Sequence, residues 1–248
     1  MGEWAPVPCG LRVRSGELHV FRSRLDLSPQ AADEAARLVS EDELVMAEAL
    51  DRPGDGRAFL CARALTRRVL GWVLDRHPAG IEFCRTEHGR LALVDREVCF
   101  SVSYAEGELL VAVSRKSEVG VDIHDSEVTY NEDLHLALTE GEMRLLRRLS
   151  PSARQMFFLG LWARKEAVLR AVGYGLRVPP DEVDVLLEDG KGTVAVPLPH
   201  GGGVIEVHVR DLPSGRETVA AVAAAGAVTG LHAWTFTPHV GAALWNAG

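Results

Sequence analysis

Apolar residues recur at helical spacing from Arg57 to Leu74, with Leu60, Leu65, Val69 and Val73 on one face and Arg63 and Arg67, four apart, on another. This predicts a helix, preceded by a shorter one over Ser40 to Leu50. From Val98 the period drops to two. Val98 to Tyr104 and Leu109 to Ser114 read as a hairpin closed by the polar turn Ala105-Glu106-Gly107-Glu108, and Val119 to Ile123 extends the antiparallel arrangement by one strand, placing Asp122 near a strand end. Thr139 followed by Glu142 is a capping box that opens a helix towards Leu149, interrupted at Pro151. A longer helix follows from Ser152 to Val172 and stops at Gly173 or Gly175, with Pro179 and Pro180 beyond. Val183 to Glu188, Thr193 to Pro197, Val204 to Arg210 and Thr218 to Ala224 then predict a second antiparallel set. The segment from Trp234 to Gly248 has no period and reads as a packed or fraying tail.

Helices followed by strands, twice over, give an α+β class with two lobes of similar size, 1–117 and 118–248, rather than an alternating parallel sheet. A cleft between the lobes is the expected ligand site. The 248 residues, 47% hydrophobic and 25% charged, are those of an ordinary folded chain. A net charge of -8 argues against nucleic acid held by general electrostatic attraction, so any bound anion must meet a local basic site. Lysine occurs only at Lys116, Lys165 and Lys191, and the other cations are arginine, whose fork suits phosphate. Cys9, Cys61, Cys84 and Cys99 form no C-x-x-C pair, which points to free thiols in a reducing cytoplasm. Neither a secretory signal nor a bilayer-spanning run is found, so no membrane association is expected.

Three groups of residues could carry chemistry. Asp122 and His124 alternate onto one face of their strand and could approach one ion, while Asp125 faces away; a solvated strand end is the plainer reading. Trp162, Glu166 and Arg170 form an i, i+4 stripe, which is either a functional edge or an ordinary helix ion pair. Lys165 neighbours Leu161, Val168 and Leu169, so its ammonium needs a partner, a bound anion, or a path to the surface along its stem.

Taken together, these pieces resemble the Sfp-type 4'-phosphopantetheinyl transferases. Val119-Gly120-Val121-Asp122-Ile123 is similar to the family's G-[IV]-D motif and Trp162-Ala163-Arg164-Lys165-Glu166-Ala167 to its W-x-x-K-E-[AS] motif. Phe100-Ser101-Val102-Ser103-Tyr104 resembles the F-x-x-S-H strand, His88-Gly89-Arg90 the G-K-P loop, and Arg57 to Arg67 the arginine-rich helix. The resemblance runs from about Ser40 to Pro180. It implies a pseudo-twofold, two-lobed monomer, each lobe an antiparallel sheet packed with helices, that transfers the phosphopantetheine arm of coenzyme A to a serine of an acyl or peptidyl carrier protein and releases 3',5'-ADP. It further implies a magnesium ion held by Asp122 and Glu166 from opposite lobes, with His124 as a third candidate ligand, and Glu166 and Lys165 as the catalytic pair. Arg57, Arg63, Arg90, Ser103, Tyr104, Lys165 and Arg170 would hold the nucleotide. Fatty-acid, polyketide and non-ribosomal peptide assembly all use this modification.

The match has departures. His124 stands where a second acid is common, which removes a negative charge and makes manganese more competitive with magnesium, unless water fills the place instead. Tyr104 replaces the usual histidine, Arg170 a usual lysine, and Leu91 the loop's proline. A relative that binds coenzyme A or a carrier domain without efficient turnover is the alternative; a metal-dependent phosphate-ester hydrolase is a third class.

Overall fold

Two β-sheets lie face to face, each covered on its outer side by one long helix. The computed structural model describes residues 4–50, 52, 54–105, 107–125, 136–215 and 218–237. In chain order these form β1 (Ala5–Pro6), β2 (Glu17–Arg24), α1 (Pro29–Ala36), α2 (Glu41–Glu48), α3 (Asp55–Leu74), β3 (Phe83–Arg85), β4 (Leu91–Leu93), β5 (Cys99–Ala105), β6 (Glu108–Ser114) and β7 (Glu118–Asp125). They continue with α4 (Glu140–Arg148), α5 (Pro151–Val172), β8 (Lys191–Pro197), β9 (Val204–Leu212), β10 (Thr218–Ala225) and β11 (Gly230–Thr235). The first sheet runs β1-β11-β2-β6-β5 and the second β7-β10-β9-β8, with β3 and β4 as a separate hairpin.

Alternation along the strands builds the layers. Phe21, Phe100, Val111 and Val113 face Leu65, Val69 and Leu70 of α3 on one side of the first sheet. On its other side Leu18, Val20, Leu110 and Ala112 meet Val119, Val121, Ile123, Ala220 and Val222 of the second sheet. The far side of that sheet, through Val207, Val209, Ala221 and Ala223, receives Phe158, Leu161 and Val168 of α5. The helix–sheet–sheet–helix order is the expected α+β, two-lobed arrangement. Each fully buried Leu, Val or Phe contributes about 1.5–3 kcal/mol, so these three contact layers supply the main drive for folding.

Several expected elements are found where the pattern places them. Thr139 caps α4, accepting from the Glu142 amide while the Glu142 side chain accepts from the Thr139 amide. Gly173 closes α5 at φ 77. Four readings require correction. The strand at Val119–Ile123 does not extend the hairpin: β7 pairs with β10 and opens the second sheet. The first sheet adds parallel pairs, β1 with β11 and β11 with β2, to its antiparallel ones. Trp234 therefore belongs to a strand rather than a tail, and the last described strand returns to the first sheet; 238–248 lie outside the described residues.

Val183 to Glu188, finally, is not a strand, because its backbone bonds go to side chains. The Val183 carbonyl accepts from Lys165, the Val185 amide donates to Glu142, and the Val185 carbonyl accepts from Arg164. With those groups committed, no ladder can form.

One glycine fixes the distance between α5 and the second sheet. A Cβ on Gly120 would fall 1.9 Å from the Ala167 carbonyl oxygen and 2.7 Å from the Ala171 amide nitrogen, so only glycine lets β7 lie this close to the helix.

Candidate active site

The site forms where β7 leaves a free edge. Val121 and Ile123 pair with β10 on one side only, and on the other their amides meet hydroxyls from β5: Val121 donates to Ser101 Oγ at 3.2 Å and Ile123 to Ser103 Oγ at 3.3 Å. Two serines spaced by two residues thus satisfy an edge that would otherwise be buried unpaired. Arg90 completes the seam, donating to the carbonyls of Phe100 at 3.1 Å and Val119 at 2.8 Å while pairing with Glu118.

The same strand alternation that sends Val121 and Ile123 into the sheet interface turns Asp122 and His124 towards α5. Asp122, 1% exposed, accepts from Ser103 Oγ at 2.9 Å and lies 2.7 Å from an Arg170 guanidinium nitrogen. That nitrogen also donates to Glu166 at 2.9 Å, one helical turn away. His124 Nε2 sits 2.6 Å from Asp122 Oδ2 and 4.0 Å from Glu166 Oε2. Burial, reinforced by the charge of Asp122, raises the Glu166 carboxyl above the ordinary carboxylate range, against the pull of Arg170 and His124. Burial draws the His124 imidazole down, but the close contact with Asp122 and the charges of Asp122 and Glu166 outweigh it, and its pKa is raised.

Asp122, His124 and Glu166 present one ligand atom each within 4.8 Å of one another. Asp122 Oδ2 and His124 Nε2 are both buried, and despite their closeness neither makes a hydrogen bond of good geometry among the described residues. Two buried polar atoms left orphaned side by side, with a carboxylate adjacent, fit the requirements of a divalent cation of the magnesium or manganese type.

A cavity of about 420 Å³ opens beside these residues, lined by Glu166, Leu169 and Arg170 of α5, by Phe100, Ser101 and Val102 of β5, by the 88–91 loop and by Arg63. Its lining comes from both halves of the chain, 63–102 and 166–175. The two acids, however, do not come from opposite lobes: β7 and α5 pack on one another in the second lobe, and the first contributes Ser103 and the Val102 carbonyl. Arg63, stacked over Phe59 and Phe83, shares Glu43 with Arg67. Desolvation lowers its pKa, against Glu43, and the neighbouring guanidiniums of Arg85 and Arg67 add to the lowering.

Asp122, His124 and Ser103 adjoin the cavity without lining it, and three further candidates belong neither to its lining nor to the cluster of possible ligands. Arg57 donates to the Leu27 carbonyl at 3.1 Å and is not among its lining residues. Tyr104 is 41% exposed and also outside the lining, near Arg63. Lys165 is 0% exposed, 2.8 Å from Glu142, and donates to the carbonyls of Pro180 and Val183. All three ammonium protons are therefore committed within the protein interior, and of the open readings for Lys165 it is the internal partner that holds.

Sequence reasoning passed over Ser101, whose spacing from Ser103 was the available signal, and the second use of Glu142, which no local pattern reveals. His88, from the loop that resembles the family's, lines the cavity, and its ring lies 4.9 Å from that of Tyr174, which sequence reasoning missed. A second cluster, Glu17, His19 and His232, also brings possible ligands together. There the Trp234 indole donates to His19 Nδ1 at 2.9 Å, which leaves the proton on Nε2, directed at Glu17 at 3.1 Å. A ring nitrogen carrying a proton cannot ligate, so this cluster is a closed hydrogen-bond chain.

The model of the 4'-phosphopantetheinyl transferase superfamily matches residues 118–223, a span that holds β7, α5 and both acids. The 4'-phosphopantetheinyl transferase HetI of Nostoc sp. is 30% identical over 192 residues, covering 74% of this chain and 80% of HetI. The chain belongs to the 4'-phosphopantetheinyl transferase superfamily. The Sfp enzyme of Bacillus subtilis is 23% identical over 159 residues, covering 63% of this chain and 70% of Sfp. A crystal structure of a Bacillus anthracis holo-(acyl-carrier-protein) synthase in complex with CoA (3',5'-ADP) is similar at 26% identity and a TM-score of 0.36, covering 44% of this chain and 94% of that one. Among the described residues no helix is long and apolar enough to cross a membrane.

Proposed function

We propose that this transferase moves 4'-phosphopantetheine from coenzyme A to a serine hydroxyl of an acyl or peptidyl carrier protein and releases 3',5'-ADP. The observation that carries the reading is that Asp122 and Glu166, the acids of the two motifs, meet through Arg170, with Glu166 lining a cavity edged by guanidinium groups.

In the reaction the serine oxygen forms a bond to the β-phosphorus as the bond from that phosphorus to the bridging oxygen breaks, and the serine proton must leave. A divalent cation, when bound by Asp122, Glu166 and His124, supplies neutralisation of the pyrophosphate charge. Glu166, its carboxyl pKa raised by burial, is the proton acceptor, directly or through one water. Arg170 and Arg63 face the cavity and hold the phosphates; Arg90, although it lines the same space, chiefly holds the lobes together. Ser103 fixes the Asp122 carboxylate in orientation. Lys165 acts at one remove, by locking α5 to the 180–185 segment so that Glu166 keeps its place. His124 in place of an acid makes the site less negative, and manganese is expected to support transfer at least as well as magnesium.

The test is the intact mass of apo-carrier proteins after incubation with the protein, coenzyme A and either metal, beside a metal-free control. A metal-dependent phosphopantetheine adduct on the carrier serine supports the assignment. Bound coenzyme A with no adduct on any carrier supports instead a relative that binds without turnover. Asp122→Ala and Glu166→Ala should each abolish transfer with the circular dichroism spectrum unchanged, and a variant retaining ordinary rates refutes its role.

A further inference from the structure

The two acids of the site are already linked by a positive charge. One guanidinium nitrogen of Arg170 lies 2.7 Å from Asp122 Oδ1 and 2.9 Å from Glu166 Oε2. The other terminal nitrogen donates to the Val102 carbonyl at 2.9 Å, tying the bridge to the first lobe. Arg170 is nevertheless 37% exposed and lines the cavity, so its side chain is not sealed in place. The guanidinium therefore leaves Asp122 Oδ2 open but holds Asp122 Oδ1 and Glu166 Oε2, the Glu166 oxygen that also faces His124, so a fixed cation sits on one oxygen of each carboxylate that a divalent ion would use.

Electrostatics sets the consequence. Two carboxylates with one guanidinium between them carry a single net negative charge, and an ion arriving alone meets a like charge within a few ångströms, in surroundings less screening than bulk water. To add Glu166 Oε2 to the open Asp122 Oδ2 and to escape the like charge it must displace the guanidinium, which would then lose both partners. The phosphates of coenzyme A offer that guanidinium another partner, since its planar fork matches phosphate geometry.

Resting on the transferase reading above, we propose that Arg170 is the counter-ion of the free site, holding Asp122 and Glu166 until a pyrophosphate draws it away. The protein alone then takes a divalent ion weakly, and the ion and coenzyme A strengthen each other's binding through this one side chain. Arg170 is in this respect a positioning residue, distinct from any contact it makes to the bound nucleotide.

The experiment is a titration of Mn2+ followed by the electron paramagnetic resonance signal of the free ion, for the wild type, Arg170→Met and Arg170→Lys, with and without saturating coenzyme A. Wild-type affinity for Mn2+ is expected to tighten about tenfold when coenzyme A is present, within the ordinary range of coupling between sites. Without coenzyme A, Arg170→Met should bind Mn2+ about tenfold tighter than the wild type, and the coupling should shrink; Arg170→Lys should restore most of the wild-type pattern. A residue that merely organised the carboxylates would give the opposite sign on removal. Equal or weaker Mn2+ binding by Arg170→Met overturns the inference, and Arg170→Gln repeats the measurement if the methionine variant does not fold. Wild-type Mn2+ affinity that coenzyme A leaves unchanged overturns it without any variant. If coenzyme A itself fails to bind the wild type, the transferase reading falls and takes this inference with it; coenzyme A that binds while Arg170→Met and Arg170→Gln fail to tighten Mn2+ refutes the inference alone.

Discussion

Replacing Gly120 by alanine should damage the protein twice, through one contact. The new Cβ would sit 1.9 Å from the Ala167 carbonyl oxygen and 2.9 Å from its carbon, both backbone atoms of α5 that no rotamer change can move. An ordinary C···O separation is about 3.3 Å, so strand and helix must part by more than about 1 Å. Overpacking of a well-filled core costs about 1–3 kcal/mol and occasionally more, and a clash with rigid backbone belongs at or just above the top of that range, about 3–4 kcal/mol. The displacement also falls between the elements that carry Asp122 and Glu166, where a misplacement of about 1 Å costs on the order of 100-fold in rate. Urea unfolding followed by tryptophan fluorescence measures the first effect, and carrier-protein transfer at a temperature where the variant remains folded measures the second. Gly160→Ala is the control: it lies on the same helix with nothing within 4 Å of the added Cβ, and should stabilise by about 0.5–1 kcal/mol through helix propensity. A Gly120→Ala variant that loses less than about 1 kcal/mol, or keeps full transfer activity, refutes the claim that this glycine sets the spacing of the site.

Two other perturbations test parts of the structure away from the acids. Lys165→Met leaves the Glu142 carboxylate buried without its cation and should cost about 3–5 kcal/mol in urea unfolding while leaving coenzyme A affinity of the folded fraction unchanged; a raised Kd for coenzyme A would instead put Lys165 on the phosphates. His19, 2% exposed between Glu17, His232 and Trp234, has its pKa lowered by burial, with Glu17 opposing and the charge of His232 adding to the lowering. The unfolded chain then binds the proton more readily than the folded one, so stability is full above the ordinary histidine pKa of about 6.5 and is lost as pH falls through the folded value. Thermal unfolding between pH 7.5 and 5 should show that loss, and His19→Gln, which has a donor and an acceptor but no titration, should flatten it; an unaltered slope would clear His19 of the effect.

Where the chain announced its structure, the reason was local. The α3 and α5 stripes, the β5–β6 hairpin and the capping box at Thr139 each depend on residues within a few positions of one another, and all four are present. What escaped depends on distant partners. β2 is covered on both faces, with His19 and Ser23 buried among its apolar residues, so it shows no alternation to read. β11 is parallel to it across more than two hundred residues of sequence, a pairing that no turn signals. The apparent strand at Val183–Glu188 alternates correctly but lies where side chains of α4 and α5 claim its backbone groups, and nothing within the segment shows that.

The site divides along the same line, and the division explains why its motifs look as they do. Asp122 and Glu166 were paired only by the motifs that hold them, since strand alternation and helical spacing alone left each with a plainer reading as a strand end or a helix ion pair. Lys165 was legible as a problem, an ammonium among apolar neighbours, but its solution lay in Glu142, twenty-three positions away on a different helix. Ser103 and Arg90, read as nucleotide contacts, turn out to spend their polar groups largely on the open edge of β7 and its junction with β5. A site built across two sheets needs its donors twice, once to close the seam and once to face the ligand. Residues that satisfy the first demand are as constrained in type as those that satisfy the second: a serine hydroxyl at 101 or 103 can accept a strand amide, whereas alanine there would leave a buried N–H unpaired at about 1–3 kcal/mol. A motif in this chain is therefore as much the signature of how the lobes join as of what they bind.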